Sequence, residues 1–408
     1  MGRAEVDLDA MRHDDAPVAL VDLGALHRNV LRIRERLAPG TLLLAAVKAD
    51  AYGHGAGMIA PALQSFGVDR FGVATADEAL SLRVAGVTAP VLVFGVVHER
   101  IGELAEHDVA ITVADEASLR AIEAARPTRV VRVHVKLDTG MGRLGVPAEA
   151  AVALVRAAAT SPYTDVEGVW THLADSDDPN AADARSHTGR QLGRFERALT
   201  DLERAGLRPP IAHAANSAAA LVLPHAHHDM VRPGIALYGH HASPSVRAAA
   251  GDLEPVVSVR APVTFIKRVR GGDTIGYGAS WTAATDTVVA TVRLGYADGY
   301  PRALANVGWM HLHGREVRVV GRVCMDQLML DVGADGGDVA LGDTAIAFGP
   351  GGPDTERLAE RAGTVSYELL TRIGARVARR YVDATAAVAS SPTATPRPTP
   401  PGSSARRR

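Results

Sequence analysis

Eight short, near-continuous apolar runs follow one another between residues 42 and 239, and no other feature restricts the fold as strongly. They are LLLAAVK (42–48), FGVAT (71–75), VLVFG (91–95), AITVA (110–114), VVRVHVK (130–136), VEGVWTH (166–172), IAHAA (211–215) and VRPGIALYG (231–239). Between most of them lie segments such as DEALSLRVAG and ASLRAIEAAR, whose apolar residues recur at i, i+3 and i+4, the period of a helix packed on one side. Strands that do not alternate with polar residues are buried on both faces, as in a parallel sheet covered by helices. Eight such strands predict an α/β fold whose N-terminal part is a (β/α)8 TIM-type barrel. The alternative, an open doubly wound sheet, would place a GxGxxG after the first strand, and none is there.

After about residue 245 the texture changes. PVVSVRAPVTFIKRV, DTVVATVRLGYADG, REVRVVGRVCMDQLMLDV and DTAIAFG are rich in valine and threonine and joined by Gly-Asp turns, which predicts a mainly β domain. Helical pattern returns only in SYELLTRIGARVARRY. The expected division is a barrel over 15–245, a β domain over 246–383 joined by the N-terminal segment 1–14, and a disordered Ala/Pro/Ser/Thr tail over 384–408. With Lys+Arg 44 against Asp+Glu 46, the charge balance points to neither a nucleic-acid nor an anionic-membrane partner. The one cysteine, Cys324, suits a reducing compartment, and no apolar run reaches the ~18 residues of a membrane helix. A cytoplasmic protein is expected.

In a (β/α)8 barrel the chemistry sits at the C-terminal ends of the strands. Lys48 closes the first strand and precedes a loop holding a tyrosine and two glycines. Desolvation there would lower the amine's pKa towards a reactive form, although a lone lysine at a strand end also reads as a snorkelling side chain. The whole phrase AVKADAYGHG resembles the pyridoxal-phosphate attachment motif of alanine racemases. The resemblance runs from about residue 15 to 383 through KLDTGMGRLG (136–145), HAANS (213–217), RPGIALYG (232–239), GYGASW (276–281), GYADGY (295–300), VCMDQ (323–327) and SYE (366–368).

What the resemblance implies is specific. Lys48 carries pyridoxal 5'-phosphate. Ser217, Gly234, Ile235, Tyr52 and Tyr367 hold its phosphate, while Arg232, supported by His213, faces the pyridine nitrogen with His172 beside the ring. Bland alternatives exist for single residues: Ser217 as a helix cap, Ile235 as a core strand residue, Arg232 in a structural ion pair. An arginine in place of a carboxylate leaves the ring nitrogen largely unprotonated, which weakens the electron sink and limits side reactions. Racemisation needs proton exchange on both faces of Cα, so the resemblance pairs Lys48 with Tyr277, whose phenol needs a neighbouring positive charge to act as a base. Arg143 and the Met325 N–H would take the substrate carboxylate, with Asp326 and Tyr296 nearby. Asp177, Arg302, Arg322 and Val365 match the substrate corridor more loosely.

Lys136 matches a lysine that many family members carbamylate to position the arginine seven residues on, and a Lys136–Asp138 pair is the equal alternative. Lys48 and Tyr277 fall in different domains, so the resemblance implies a homodimer with sites shared between subunits, Tyr277, Met325 and Asp326 acting in trans. No metal is expected. The activity implied is conversion between L- and D-alanine, supplying D-alanine for peptidoglycan. A broader amino-acid or serine racemase is the alternative, and so is a decarboxylase of the same architecture, which would need an acidic partner for the ring nitrogen and a catalytic cysteine.

Overall fold

The structure, a computed structural model, describes residues 16–383. The segment 1–14 and the tail 384–408 lie outside the described residues. The eight expected barrel strands all form, as Leu42–Ala46, Arg70–Val73, Val91–Val96, Val109–Val113, Val131–Asp138, Thr164–Trp170, Ile211–His213 and Met230–Val231, the first seven paired in parallel in chain order. The last pairs with the first through Met230 and Leu42. Backbone hydrogen bonds from Asp229 N to Ala212 O (3.1 Å) and Arg232 N to Ala215 O (2.9 Å) complete the closure. Burial on both faces explains the runs: every residue of Val109–Val113 is buried.

The helices between the strands start where the sequence supplies caps. Thr75 and Glu78 form a reciprocal capping box before Ala76–Val84, Asp115 and Ser118 form another before Glu116–Ala125, and Ser186 caps His187–Arg204. The eighth strand is shorter than expected. Only Met230–Val231 is strand, and RPGIALYG leaves the sheet because Pro233 has no N–H for the ladder and the following residues close successive tight turns.

The second unit is an eight-stranded sheet in the order Thr287–Val292, Leu328–Gly333, Arg315–Val320, Trp309–Leu312, Thr344–Phe348, Val257–Val269, Val18–Asp22, Ala378–Val382. The long strand Val257–Val269 also pairs with Thr287–Val292, which curls the sheet onto itself. Val18–Asp22 was expected within the barrel unit. It belongs to this sheet instead, antiparallel to Val257–Val269 and parallel to Ala378–Val382.

Two further expectations change. Helix appears at Thr355–Arg361 as well, and SYELLTRIGARVARRY divides into a short helix, Ser366–Thr371, and the strand Ala378–Val382. REVRVVGRVCMDQLMLDV is two strands with GRVCMDQ as the connection, so Met325 and Asp326 sit on a loop.

Candidate active site

The chain leaves the first barrel strand in an unusual way. Ala49, Asp50, Ala51 and Tyr52 all have φ between 52° and 54°, a single left-handed helical turn directly after Lys48. Left-handed backbone costs an L-residue roughly 1–2 kcal/mol, so this turn has to be held from outside. Glu78 accepts from Ala49 N (2.6 Å), Asp50 accepts from Ala56 N (2.7 Å), and two residues of the last β-domain strand reach over: Arg379 Nε donates to Gly53 O (3.1 Å) and Tyr381 Oη to His54 O (3.0 Å). Gly53 and Gly55 are glycine by necessity, since a Cβ would meet Leu370 O at 2.1 Å and Tyr381 Oη at 1.9 Å. The turn brings Lys48 and Tyr52 into one cavity of about 650 Å³ at the C-terminal mouth of the barrel.

Ser217, Arg232, Gly234, His172, Arg143 and Tyr367 line the same cavity. Burial, and secondly the charge of Arg143, holds the Lys48 amine below its usual pKa. Ser217 opens the helix Ser217–Val222 but does not cap it, because Asn216 takes that role by accepting from Ala219 N at 3.1 Å. The Ser217 hydroxyl instead accepts from Gly234 N at 2.8 Å, leaving its own proton to donate. Ile235 buries its side chain in the core, outside any strand, and does not itself line the cavity. Burial raises the Tyr52 phenol to about 12 and pushes Tyr367 higher still, so both remain donors.

Arg232 is buried and its Nη2 donates to Thr171 O and Ala214 O, both at 2.9 Å, and meets His172 Nδ1 at 3.4 Å. Nη1 meets His213 Nδ1 at 3.0 Å, which makes His213 the acceptor there. Burial lowers Arg232 to about 9, which still leaves it cationic at neutral pH. Burial first and the charge of Arg232 second keep both His172 and His213 neutral. The polarity then runs on: His213 Nε2 meets His134 Nδ1 at 2.8 Å, and His134 Nε2 meets Glu167 at 2.9 Å. Arg70 grips that carboxylate with both nitrogens at 2.8 and 2.9 Å.

Lys136 is 2% exposed, lies 5.1 Å over the Trp170 ring and donates to Leu137 O at 2.6 Å. Burial, then Arg232, lowers its amine to about 7. The Lys136–Asp138 pair does not form, because the Asp138 carboxylate accepts the backbone N–H groups of Gly140, Met141 and Gly142.

Tyr277, Tyr296, Met325 and Asp326 stand outside this cavity, in the β domain, where Tyr277 and Met325 are 70% and 52% exposed. They share one corner. Tyr296 N donates to Cys324 O and Ala297 N to Met325 O, each at 3.0 Å. Gly278 packs so closely on the Arg322 guanidinium that a Cβ would lie 3.2 Å from its carbon. Asp177 and Val365 line the cavity, and Arg302 does not.

Residues 21–242 match the family described as alanine racemase, N-terminal domain, and residues 256–381 match alanine racemase, C-terminal domain. The chain belongs to the alanine racemase family. It is 39% identical over 368 residues to alanine racemase of Desulforamulus reducens, covering 89% of this chain and 98% of that one. The alanine racemase of D-cycloserine-producing Streptomyces lavendulae superposes with a TM-score of 0.83 at 37% identity, over 90% of this chain and 97% of that one. The Bacillus anthracis alanine racemase with bound L-Ala-P gives 0.84 at 35% identity, over 90% and 95%.

Members of the alanine racemase family are pyridoxal-phosphate enzymes, and the residues here fit that cofactor. Gly234 leaves the room a phosphate needs, since a Cβ would sit 2.3 Å from Tyr52 Oη, and the hydroxyl-bearing Tyr52, Ser217 and Tyr367 line the same cavity. Arg232 lines this cavity as a cation, where the decarboxylase alternative needs an acid. Sequence reasoning missed Trp170, whose ring stacks on His213 at 5.6 Å and lies 5.0 Å under Arg232, and it missed the His134–Glu167 extension. Period-2 alternation along HVK and VEGVW, which turns His134 and Trp170 inward, was the available signal.

Proposed function

We propose that this chain interconverts L- and D-alanine with two bases: Lys48 on one face of Cα, and on the other Tyr277 supplied by a second copy of the chain. Pyridoxal phosphate, held by Lys48 and the phosphate cradle, supplies the electron-withdrawing ring that acidifies the Cα–H of a bound amino acid. The observation that carries the proposal is Lys48 itself, an amine held below its usual pKa at the barrel mouth, within a cavity whose other walls include Ser217, Tyr52, Tyr367, His172 and the Arg232 and Arg143 guanidinium groups.

Lys48, once free of the cofactor, takes or returns a proton as a neutral amine. Arg143 opposes the substrate carboxylate. His172 is neutral and accepts at Nδ1 from Arg232, so its Nε2–H is the donor available to steady a phenolate at Tyr277. No second base is needed from the same chain if two subunits pack β domain to barrel mouth. The exposed corner of Tyr277, Tyr296 and Met325 supports that packing, because large apolar groups clustered at a surface mark an interface. The Lys136 amine, near half-neutral at pH 7, supports carbamylation, since carbon dioxide adds only to the uncharged form. D-Alanine formed in the cytoplasm would serve peptidoglycan synthesis.

The test is racemisation of L-amino acids by the purified protein, followed together with the absorbance of lysine-bound cofactor. Lys48→Ala should abolish both, and a persisting band would remove Lys48 from its role. Tyr277→Phe should retain the band and lose most of the racemisation. Preference for serine over alanine would redirect the substrate assignment.

A further inference from the structure

The corner that carries Tyr296, Met325 and Asp326 is held by one side chain that does not line the barrel cavity. Arg376, in the connection between Ser366–Thr371 and Ala378–Val382, places Nε and Nη2 each 3.0 Å from Asp298 Oδ1 and Nη1 2.7 Å from Asp326 Oδ1. Asp298 is buried, its side chain 2% exposed, and its other oxygen accepts from Gly295 N at 2.9 Å. The backbone closes the same junction: Gly374 N donates to Asp298 O at 2.9 Å, and Ala297 N to Met325 O at 3.0 Å. The three segments touch so closely that a Cβ on Gly295 would lie 2.1 Å from Met325 O, and one on Gly374 2.8 Å from Ala297 O. Met325 N–H makes no hydrogen bond within the chain among the described residues.

We propose that Arg376 is a positioning residue for the substrate carboxylate of the partner's site: by bridging Asp298 to Asp326 it fixes the angle at which the Met325 N–H is presented. The inference rests on the trans assignment above. Two carboxylates on two loops would otherwise repel, and the guanidinium fork sets both loops at one separation because its donors are rigidly spaced. A single N–H can orient a carboxylate only if its peptide plane is fixed, and the loop GRVCMDQ has no regular structure of its own to fix it. Loosening the clamp therefore weakens alanine binding and leaves the proton-transfer groups, Lys48 and Tyr277, untouched. KM should rise about tenfold with kcat within about twofold, the split that separates lost binding from lost chemistry.

Mixed dimers, purified through two different tags, locate the effect. In the first, one chain carries Lys48→Ala and Arg376→Gln and the other is wild type, so the single working lysine receives the altered corner. In the second, one chain carries Lys48→Ala and the other Arg376→Gln, so the working lysine receives an intact corner. The expected result is a raised KM in the first and a wild-type KM in the second, with unchanged cofactor absorbance in both and the same melting temperature for the two dimers, since each carries one altered corner. Raised KM in the second alone would overturn the trans assignment while keeping the clamp. Wild-type KM in both, or equal elevation in both, would overturn the clamp. Should Arg376→Gln fail to fold, Asp298→Asn, which removes charge at nearly constant volume, is measured in the same two arrangements with the same outcomes.

Discussion

Gly234→Ala is a small change with a calculable consequence. The added methyl would lie 2.3 Å from Tyr52 Oη and 2.9 Å from Tyr52 Cζ, with Ala46 Cβ behind it at 3.4 Å. To reach ordinary contact, the phenol must recede by about 1 Å, which takes it from ideal hydrogen-bond length to no bond at all. Tyr52 has little freedom to yield otherwise. Its backbone sits at φ 54°, its ring is 4.9 Å from that of Tyr238, and only 7% of it is exposed. The variant therefore loses one donor to a phosphate dianion, worth roughly 1.5–3 kcal/mol, or about ten- to hundredfold in cofactor affinity. Tyr52→Phe should lose a similar amount by removing the donor directly. Because both act on the same bond, the double variant should bind little worse than either single one, with a coupling on the order of the single effect. Equilibrium dialysis of cofactor-stripped protein against pyridoxal phosphate measures all four affinities, and circular dichroism checks the fold. Unchanged binding by Gly234→Ala would refute the clash, and strictly additive losses would refute its transmission through Tyr52.

Glu167→Gln leaves Arg70 and the His134 donor without their carboxylate and should cost about 3 kcal/mol in unfolding free energy at neutral pH. Burial works against the Glu167 charge, yet His134 and Arg70 hold its carboxyl below the usual range; its stabilisation is full above the unfolded value and fades as pH falls through the folded one, so the variant's melting temperature should fall less steeply in acid, and an acid limb parallel to wild type would contradict this. Ala49→Gly, which costs about 1 kcal/mol in an ordinary helix, should here be neutral or stabilising because Ala49 is exposed at φ 52°; a clear drop in melting temperature would argue against the left-handed turn. A carbamate on Lys136 should appear as an added mass in native spectra recorded with bicarbonate and vanish on acidification, and spectra without it under both conditions would exclude the modification.

The barrel was legible because its strands are buried on both faces, so local composition alone marks them, and Val109–Val113 needs no partner to be recognised. Membership of a sheet is a different kind of information. Val18–Asp22 is VALVD, five residues with no strong alternation, and its neighbours are Val257–Arg260 and Ala378–Val382, more than two hundred residues away. Nothing near it in the chain records that choice. The eighth strand failed for a local reason that the sequence did contain, since Pro233 removes a ladder donor and Gly234 follows it, while the apolar residues beyond them are buried in turns.

The site shows the same division more sharply. His213 ends a strand and Lys48, His172 and Arg232 follow one within two residues, and the rule that barrel chemistry gathers there was enough to bring them together. The left-handed turn was not readable, because Ala-Asp-Ala-Tyr has no preference for it. Four residues at roughly 1–2 kcal/mol each place its strain at about 4–8 kcal/mol, more than the local hydrogen bonds return. The compensation comes from Glu78 of the helix Ala76–Val84 and from Arg379 and Tyr381 of the last strand, and the two glycines at 53 and 55 let the β domain approach. A right-handed turn in its place would rotate Tyr52 away from Lys48, so the strain is what lets one loop offer both an amine and a phenol to one cavity. The β domain, whose final strand supplies two of the three restraints, is thus part of the lysine's own site before any second subunit is considered.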